Sequence, residues 1–190
     1  LGSFTGSGTS YTVVFTPTAS STANGVISVA DTKFTDAAGN TNADGSDANN
    51  TETITVDTEL PTLLSAETGD NNGDGTVDRL VLTFSEQVDL SSIDNNNFTL
   101  TESAGGSPTI TGSYSSSDQT TVTLTLTGVT ANNTSLTISP DYDNDTGTII
   151  DNAGNEMSFS ETVAGTDKAP PAMLSAVTGD SNTDGSVDQI

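Results

Sequence analysis

The segment TVTLTLTG, residues 121 to 128, alternates threonine with Val122, Leu124 and Leu126. An apolar residue at every second position is the period of a β-strand that has one face in a core and the other in water. The segment RLVLTF, residues 79 to 84, repeats the same alternation. The sequence therefore predicts a protein built from half-buried strands.

Five further runs of this kind occur around these two, and loops rich in Gly, Asn, Asp and Ser separate them. No segment shows helical periodicity, so we expect an all-β fold in which seven strands form an antiparallel two-sheet sandwich. A β-solenoid is the alternative that the Thr-rich runs leave open. The apolar positions that define the seven strands are Leu64 and Ala66; Leu80, Leu82 and Phe84; Phe98 and Leu100; Ile110 and Tyr114; Val122, Leu124 and Leu126; Leu136 and Ile138; and Met157, Phe159 and Val163.

An internal repeat sets the domain organisation. Residues 61–80, PTLLSAETGDNNGDGTVDRL, match residues 171–190, PAMLSAVTGDSNTDGSVDQI, at 12 of 20 positions. The offset of 110 residues has the size of one sandwich domain and is too long for one coil of a solenoid. We therefore expect a complete domain at 58–168 and the start of the next repeat at 169–190.

A second internal similarity relates residues 36–40, DAAGN, to residues 151–155, DNAGN. It predicts that residues 1–57 are the C-terminal part of a preceding domain, so that the tandem array is truncated at both ends. The Asn24-Gly25 pair in this part predicts a tight turn. Its strand positions are Tyr11, Val13 and Phe15; Ile27 and Val29; and Ile54 and Val56.

The chain carries 26 Asp plus Glu against three basic residues, Lys33, Arg79 and Lys168, for a net charge of −23. Three scattered cations cannot form the array that holds a phosphate backbone, which excludes nucleic acid as a partner. An anionic membrane surface would repel the chain. Crowded carboxylates destabilise a compact state, so the charge favours bound cations; the alternative is that it only confers solubility.

The chain has no Cys, His or Trp. Disulfides, thiolate or imidazole metal sites and a His-activated nucleophile are thereby excluded. Calcium bound by oxygen ligands is the stabilising crosslink that this composition permits in an extracellular protein. No signal peptide is recognisable, and no apolar run approaches the roughly 20 residues that insert into a bilayer.

Residues 70–78, DNNGDGTVD, and residues 180–188, DSNTDGSVD, share the pattern DxNxDGxxD. Oxygens at the first, third, fifth, seventh and ninth places converge in such a loop, and Gly at the sixth permits its sharp turn. The twelfth place holds Val81 instead of a bidentate Glu, so we expect a calcium affinity of about 0.1–1 mM. A polar hairpin turn without metal is the alternative. The predicted ligands are Asp70, Asn72, Asp74, Thr76 and Asp78, and Asp180, Asn182, Asp184, Ser186 and Asp188.

Strand counting predicts a further site at the opposite pole of the complete domain. Up-and-down topology places Asp151 of the sixth-to-seventh loop beside Glu86 and beside the incoming linker with Asp57 and Glu59. These carboxylates are predicted to share a calcium ion at the domain junction. A solvated acidic loop with an ordinary linker is the alternative.

The runs TVVFTPTA (12–19), DAAGNTNADGSDANN (36–50), TITVDTELP (53–61) and DGTVDRLVLTFSEQVDL (74–90) resemble the immunoglobulin-like repeats of giant bacterial surface adhesins, of the type I secreted and biofilm-associated kinds. The resemblance implies tandem Ig-like domains in an extracellular, calcium-rigidified stalk. It also implies that linker aspartates, here Asp57 and Asp167, are ligands. Similar repeats occur in surface-layer and matrix proteins.

The function expected is that of a structural extender on the bacterial surface, whose partners are neighbouring repeats of the same chain. Lateral assembly of identical chains into a surface layer or filament is the second hypothesis, and a glycan-binding or ice-binding module is the third. A catalytic role ranks last. The carboxylates of Asp143 and Asp145 could form a glycosidase pair, but no aromatic platform accompanies them.

Overall fold

The computed structural model describes residues 1–43, 50–129, 136–143, 147–158, 161–173 and 175–188. The chain divides into two compact units, Leu1–Leu60 and Pro61–Ile190. Both are built from β-strands, and a 3-10 turn at Leu90–Ser92 lies between two strands of the second. Among the described residues, no helix has the length and hydropathy that crossing a bilayer requires.

The first unit consists of two separate two-stranded antiparallel sheets. Its strands are β1 (Phe4–Ser7) paired with β2 (Ser10–Val13), and β3 (Gly25–Ser28) paired with β4 (Thr51–Ile54). The prediction of a tight turn at Asn24-Gly25 is wrong, because Gly25 begins β3 and no strand ends just before it. A side chain at position 25 would collide with the ring of Phe15, so this glycine allows close packing.

The second unit is a sandwich of a five-stranded and a two-stranded sheet. The larger sheet has the order β11-β5-β6-β9-β8, and the smaller pairs β10 with β7. Together with the first unit this confirms the predicted all-β fold class. The strands are β5 (Leu63–Gly69), β6 (Arg79–Phe84), β7 (Phe98–Glu102), β8 (Thr109–Ser115), β9 (Thr121–Thr127), β10 (Ile138–Tyr142) and β11 (Gly165–Thr166).

The alternation seen in the sequence produces the core of this sandwich. Leu80 and Leu82 of β6 lie beside Leu124 and Val122 of β9 in register, and all four side chains are buried. Val81 and Thr123, which lie between them on the two strands, are on the other face of the sheet and are half-buried. Within the smaller sheet, Phe98 of β7 lies directly opposite Tyr142 of β10, and the two ring centroids are 5.8 Å apart.

Strand β5 departs from the predicted alternation at its start. The register against β6 shifts between Leu63 and Ser65, which marks a β-bulge. The shift turns Leu63 into the core, where it is 6% exposed, and leaves Leu64 60% exposed. The prediction that Leu64 is a core position is therefore wrong, because a bulge reverses the faces that strict alternation assigns.

The final strand also differs from the prediction. Met157 is buried and Val163 packs at the edge of the core, but the strand itself is the later segment β11; Phe159 lies outside the described residues. Strand β11 pairs with β5 in parallel, with Gly165 opposite Ala66, so the sandwich is not wholly antiparallel. A Cβ at Gly165 would overlap the backbone of Ile138, and only glycine allows β11 to lie this close to β10.

The bulge in β5 predicts opposite effects for two adjacent leucines. Leu63→Ala removes a side chain from the packed core and should lower the free energy of unfolding by about 2–5 kcal/mol. Leu64→Ala at the exposed neighbouring position should change it by less than about 0.5 kcal/mol. Urea denaturation of both variants measures the difference, and a larger loss for Leu64→Ala would disprove the register described for β5.

Candidate metal-binding loops

The first motif loop follows β5 directly, and Asp70 is its centre. One carboxylate oxygen of Asp70 accepts hydrogen bonds from the backbone N–H groups of Asn72 at 3.2 Å and Gly73 at 2.7 Å. The other accepts from the N–H of Gly75 at 2.7 Å. Gly75 has a φ of +86°, a left-handed conformation that favours glycine. The sixth place of the motif is thus glycine because the turn requires it.

The other motif residues continue this scheme around the loop. The side-chain oxygen of Asn72 accepts from the N–H of Asp74 at 2.9 Å, and Asp74 accepts from the N–H of Thr76 at 2.8 Å. Asp78 closes the loop by accepting from the N–H of Asn71 at 2.7 Å. The side chain of Val77, between them, is buried and anchors the loop to the core.

The second loop has the same arrangement 110 residues later. Asp180 accepts from the N–H groups of Asp184 at 3.2 Å and Gly185 at 2.7 Å, and Gly185 has a φ of +85°. The side-chain oxygen of Asn182 accepts from the N–H of Asp184 at 3.0 Å. The carboxylate of Asp184 accepts in turn from the N–H of Ser186 at 2.8 Å. Asp188 accepts from Ser181 at 2.6 Å. Two separate copies of the motif therefore adopt one hydrogen-bonding scheme.

Backbone donors hold the central aspartates in the ionised form. The N–H of Gly75 lowers the pKa of Asp70 below its ordinary value of 3.8; burial opposes this shift, and Gly73 and Asn72 reinforce it. The N–H of Gly185 lowers the pKa of Asp180 in the same way. Each loop consequently presents a carboxylate that stays charged well below neutral pH.

The loop carboxylates alone do not make a compact metal cage. In the part of the chain that the structure describes, Asp70, Asp74 and Asp78 do not bring three carboxylate oxygens within 4.8 Å of one another. The predicted ligand set also includes the side-chain oxygen of Asn72 and the backbone carbonyl of Thr76, which carry no charge. Such a mixed set of neutral and charged oxygens is suited to calcium at modest affinity.

At the other end of β5, the structure brings Glu86 and Asp151 together. One carboxylate oxygen of Glu86 lies within 4.8 Å of one of Asp151, as the topology predicts. A β-bridge between Val88 and Asp151 holds the two segments side by side. Asp151 also accepts hydrogen bonds from the N–H groups of Ala153 and Asn155, each at 2.8 Å. Its position is thus fixed by its own loop.

The remaining predicted ligands have other partners in the structure. Asp57 lies in the first unit, where it accepts from the N–H of Glu59 at 3.3 Å; that these two residues share an ion with Glu86 and Asp151 stays a prediction. One oxygen of Asp167 is 3.1 Å from the hydroxyl of Thr68 and accepts from the N–H of Ala169 at 3.0 Å. Asp145, considered for a catalytic pair, lies outside the described residues.

Sequence reasoning missed two residues that bind the C-terminal segment to β5. The buried Thr68 holds Asp167, and Glu161 accepts from the backbone N–H of Leu63 at 2.6 Å. The signal for Thr68 was present in the internal repeat, where Thr178-Gly179-Asp180 copies the segment that starts at Thr68. No local pattern marks Glu161, because its partner is 98 residues away.

Comparison with known protein families identifies both units. A family model described as a bacterial Ig-like domain matches residues 57–166, more than half of the chain. The chain belongs to the bacterial Ig-like domain family. A second family model with the same description matches residues 1–53. No curated protein matches the chain.

Bacterial Ig-like domains are typically structural modules without enzymatic activity, and they commonly occur in surface or extracellular proteins. The two matches lie in tandem along the chain, which supports Ig-like repeats as its organisation. Family membership shows the fold and the usual location of such domains, whereas any binding chemistry depends on the residues of the loops.

The lowered pKa of Asp70 predicts how the metal-free loop responds to acid. Because the folded state favours the ionised carboxylate, this contribution to stability is fully present above the unfolded pKa and is lost as the pH falls through the folded pKa. In chelator, the NMR shift of the Gly75 amide proton should therefore titrate with a midpoint below 3.8. A midpoint at or above that value would contradict the hydrogen bonds described for the loop.

Proposed function

We propose that the chain is a calcium-rigidified structural repeat of an extracellular bacterial adhesin or matrix protein. The observation that carries the proposal is the common geometry of the two loops at 70–78 and 180–188. Asp and Asn side chains at the first, third, fifth and ninth places accept backbone N–H groups in both copies, and the remaining lone pairs of these fixed oxygens are available to an ion.

Charge supports calcium as the ligand of these loops. A net charge of −23 makes the folded chain repel itself, and divalent cations relieve this repulsion where carboxylates are held in place. Asp70 and Asp180 are held by backbone donors, as in a site organised before the ion arrives. Calcium accepts irregular sets of six to eight oxygens, whereas magnesium requires a nearly ideal octahedron.

A structural role follows from where the loops lie in the repeat. The loop at 70–78 begins directly after β5, the first strand of its repeat, and Glu86 and Asp151 lie at the other end of the same domain. Calcium at both ends would stiffen the chain where one domain passes to the next. Asp57, Glu59 and Asp167 of the linkers are proposed as further ligands at those passages.

Calcium binding can be tested loop by loop, because Gly75 and Gly185 each give a separate amide NMR signal. In a calcium titration of the wild type we expect both signals to shift, with dissociation constants of about 0.1–1 mM. Asp74→Ala should abolish the shift of Gly75 and leave that of Gly185, and Asp184→Ala should do the reverse. Asp74 is chosen because it is exposed and accepts from the N–H of Thr76, whereas Asp70 accepts three backbone N–H groups that shape the loop.

Asn71→Ala is the matched control for these variants. Asn71 lies in the same loop with its side chain exposed, and its place in the motif supplies no predicted ligand. Its loop should bind calcium as the wild type does. If neither glycine signal moves up to about 10 mM calcium, tenfold above the weakest affinity expected for such modules, the loops are solvated turns and the proposed function is wrong.

Rigidification has a separate readout. Each site held at ten times its dissociation constant adds about 1.4 kcal/mol to the stability of the folded state, so calcium should raise the melting temperature by several degrees. Small-angle scattering from a chain of two complete 58–168 repeats should show a longer and narrower distribution of distances in calcium than in chelator. Magnesium at equal concentration controls for ionic strength. Calcium binding without any change in scattering would contradict the stalk role.

A further inference from the structure

Thr68 is a polar residue buried in the core side of β5, with only 1% of its surface exposed. Its hydroxyl lies 3.1 Å from a carboxylate oxygen of Asp167, and the carbonyl oxygens of Leu136 and Thr166 are within 3.5 Å. The same hydroxyl oxygen accepts from the backbone N–H of Lys168 at 3.3 Å. A threonine hydroxyl has one proton, and the Asp167 oxygen is both the nearest and the charged one of the three acceptors, so Thr68 donates to Asp167 while it accepts from Lys168.

The segment that receives these bonds is the last stretch of the family match and the linker after it, residues 165–169. The N–H of Gly165 donates to the hydroxyl of Ser139 at 3.1 Å, and the N–H of Ala169 donates to Asp167 at 3.0 Å. Asp167 and Lys168 are thus bonded directly to one buried hydroxyl, and Ala169 is bonded to it through Asp167. Without this hydroxyl, Asp167 and Lys168 would lose their bonds to β5, while β11 would keep its two-residue pairing with β5 and the bond of Gly165 to Ser139.

We propose that Thr68 and Asp167 form an exit clamp, which fixes the course of the chain as it leaves the β-sandwich. The clamp gives Asp167 a role that does not depend on a metal ion, in contrast to the ligand role inferred from resemblance. The inference therefore goes beyond calcium binding and stands or falls separately from it. The repeated Thr178-Gly179-Asp180 segment places a second threonine at the equivalent point of the next repeat.

Limited proteolysis with a lysine-specific endoproteinase tests the clamp on the full chain. The chain has only two lysines, Lys33 and Lys168, and Lys168 lies inside the clamp. Cleavage there requires the segment to open locally, and its rate follows the population of the open form. Cleavage after Lys33, exposed in the first unit, provides an internal reference in the same sample.

The expected result is that Thr68→Val, which keeps the side-chain volume and removes the hydroxyl, speeds cleavage at Lys168 about threefold to tenfold relative to Lys33. Thr68→Ser keeps the hydroxyl and should cleave at about the wild-type ratio. The increase should be the same in calcium and in chelator. Asp167→Ala, at a half-buried position outside the strands, should give a similar increase and serves as the second variant if Thr68→Val does not fold.

Two results would overturn the clamp. One is an unchanged cleavage ratio in both Thr68→Val and Asp167→Ala. The other combines two observations: chelator raises the cleavage ratio of the wild type to the level of Asp167→Ala, and Thr68→Val leaves the ratio unchanged. That pattern is expected if Asp167 acts only as a calcium ligand. Neither result would bear on calcium binding at Gly75 and Gly185, which the amide titration measures separately.

Discussion

Strand β5 hydrogen-bonds to β6 on one side and to β11 on the other, and the other contacts of its sandwich are arranged around this one strand. Its start carries the bulge that turns Leu63 into the core. Its end carries Thr68 and passes directly into the loop that begins at Asp70. Because both neighbours of β5 are fixed by backbone ladders, the loop and the exit segment start from a rigid base. A site on such a base needs little ordering when it meets a ligand.

Backbone donors hold several acidic residues of this bacterial Ig-like chain in fixed positions. Asp70, Asp180, Asp36 and Asp151 each accept two or more backbone N–H groups of their own loop. Such bonds fix the carboxylate without any lysine or arginine, and they lower the pKa of Asp36, Asp70 and Asp180. Three basic residues in the whole chain could not pair with 26 acidic ones, so backbone donors are the available means of placement. The charge that remains is the reason to expect cations at these loops.

Much of the fold could be read from the sequence because its signals are local. The period of two in β6 and β9, the motif glycines with positive φ and the 110-residue repeat each depend only on nearby residues or on self-comparison. The proximity of Glu86 and Asp151 followed from counting strands, which needs topology but no atomic detail.

The predictions that were wrong depended on contacts distant in sequence. Strict alternation could not show that β5 carries a bulge, since the shift is defined only against β6. The Asn24-Gly25 pair has the composition of a hairpin turn, but its glycine serves the packing of Phe15. The parallel pairing of β11 with β5 joins residues about 99 positions apart, and the hydrogen bond from Thr68 to Asp167 spans the same separation. No pattern within a short window contains that information.

The parallel pairing of β11 with β5 has a mechanical consequence. The Ig-like match at residues 57–166 begins just before β5 and ends with β11, and the two strands run side by side in the same direction. A force that pulls the two ends apart is then directed along the strands, and it loads their hydrogen bonds in shear. Bonds loaded in shear must break together, whereas bonds at the end of a hairpin would open one after another. Resistance to pulling is a matter of the unfolding rate, and here it is concentrated in the short pairing of Ala66 and Glu67 with Gly165 and Thr166.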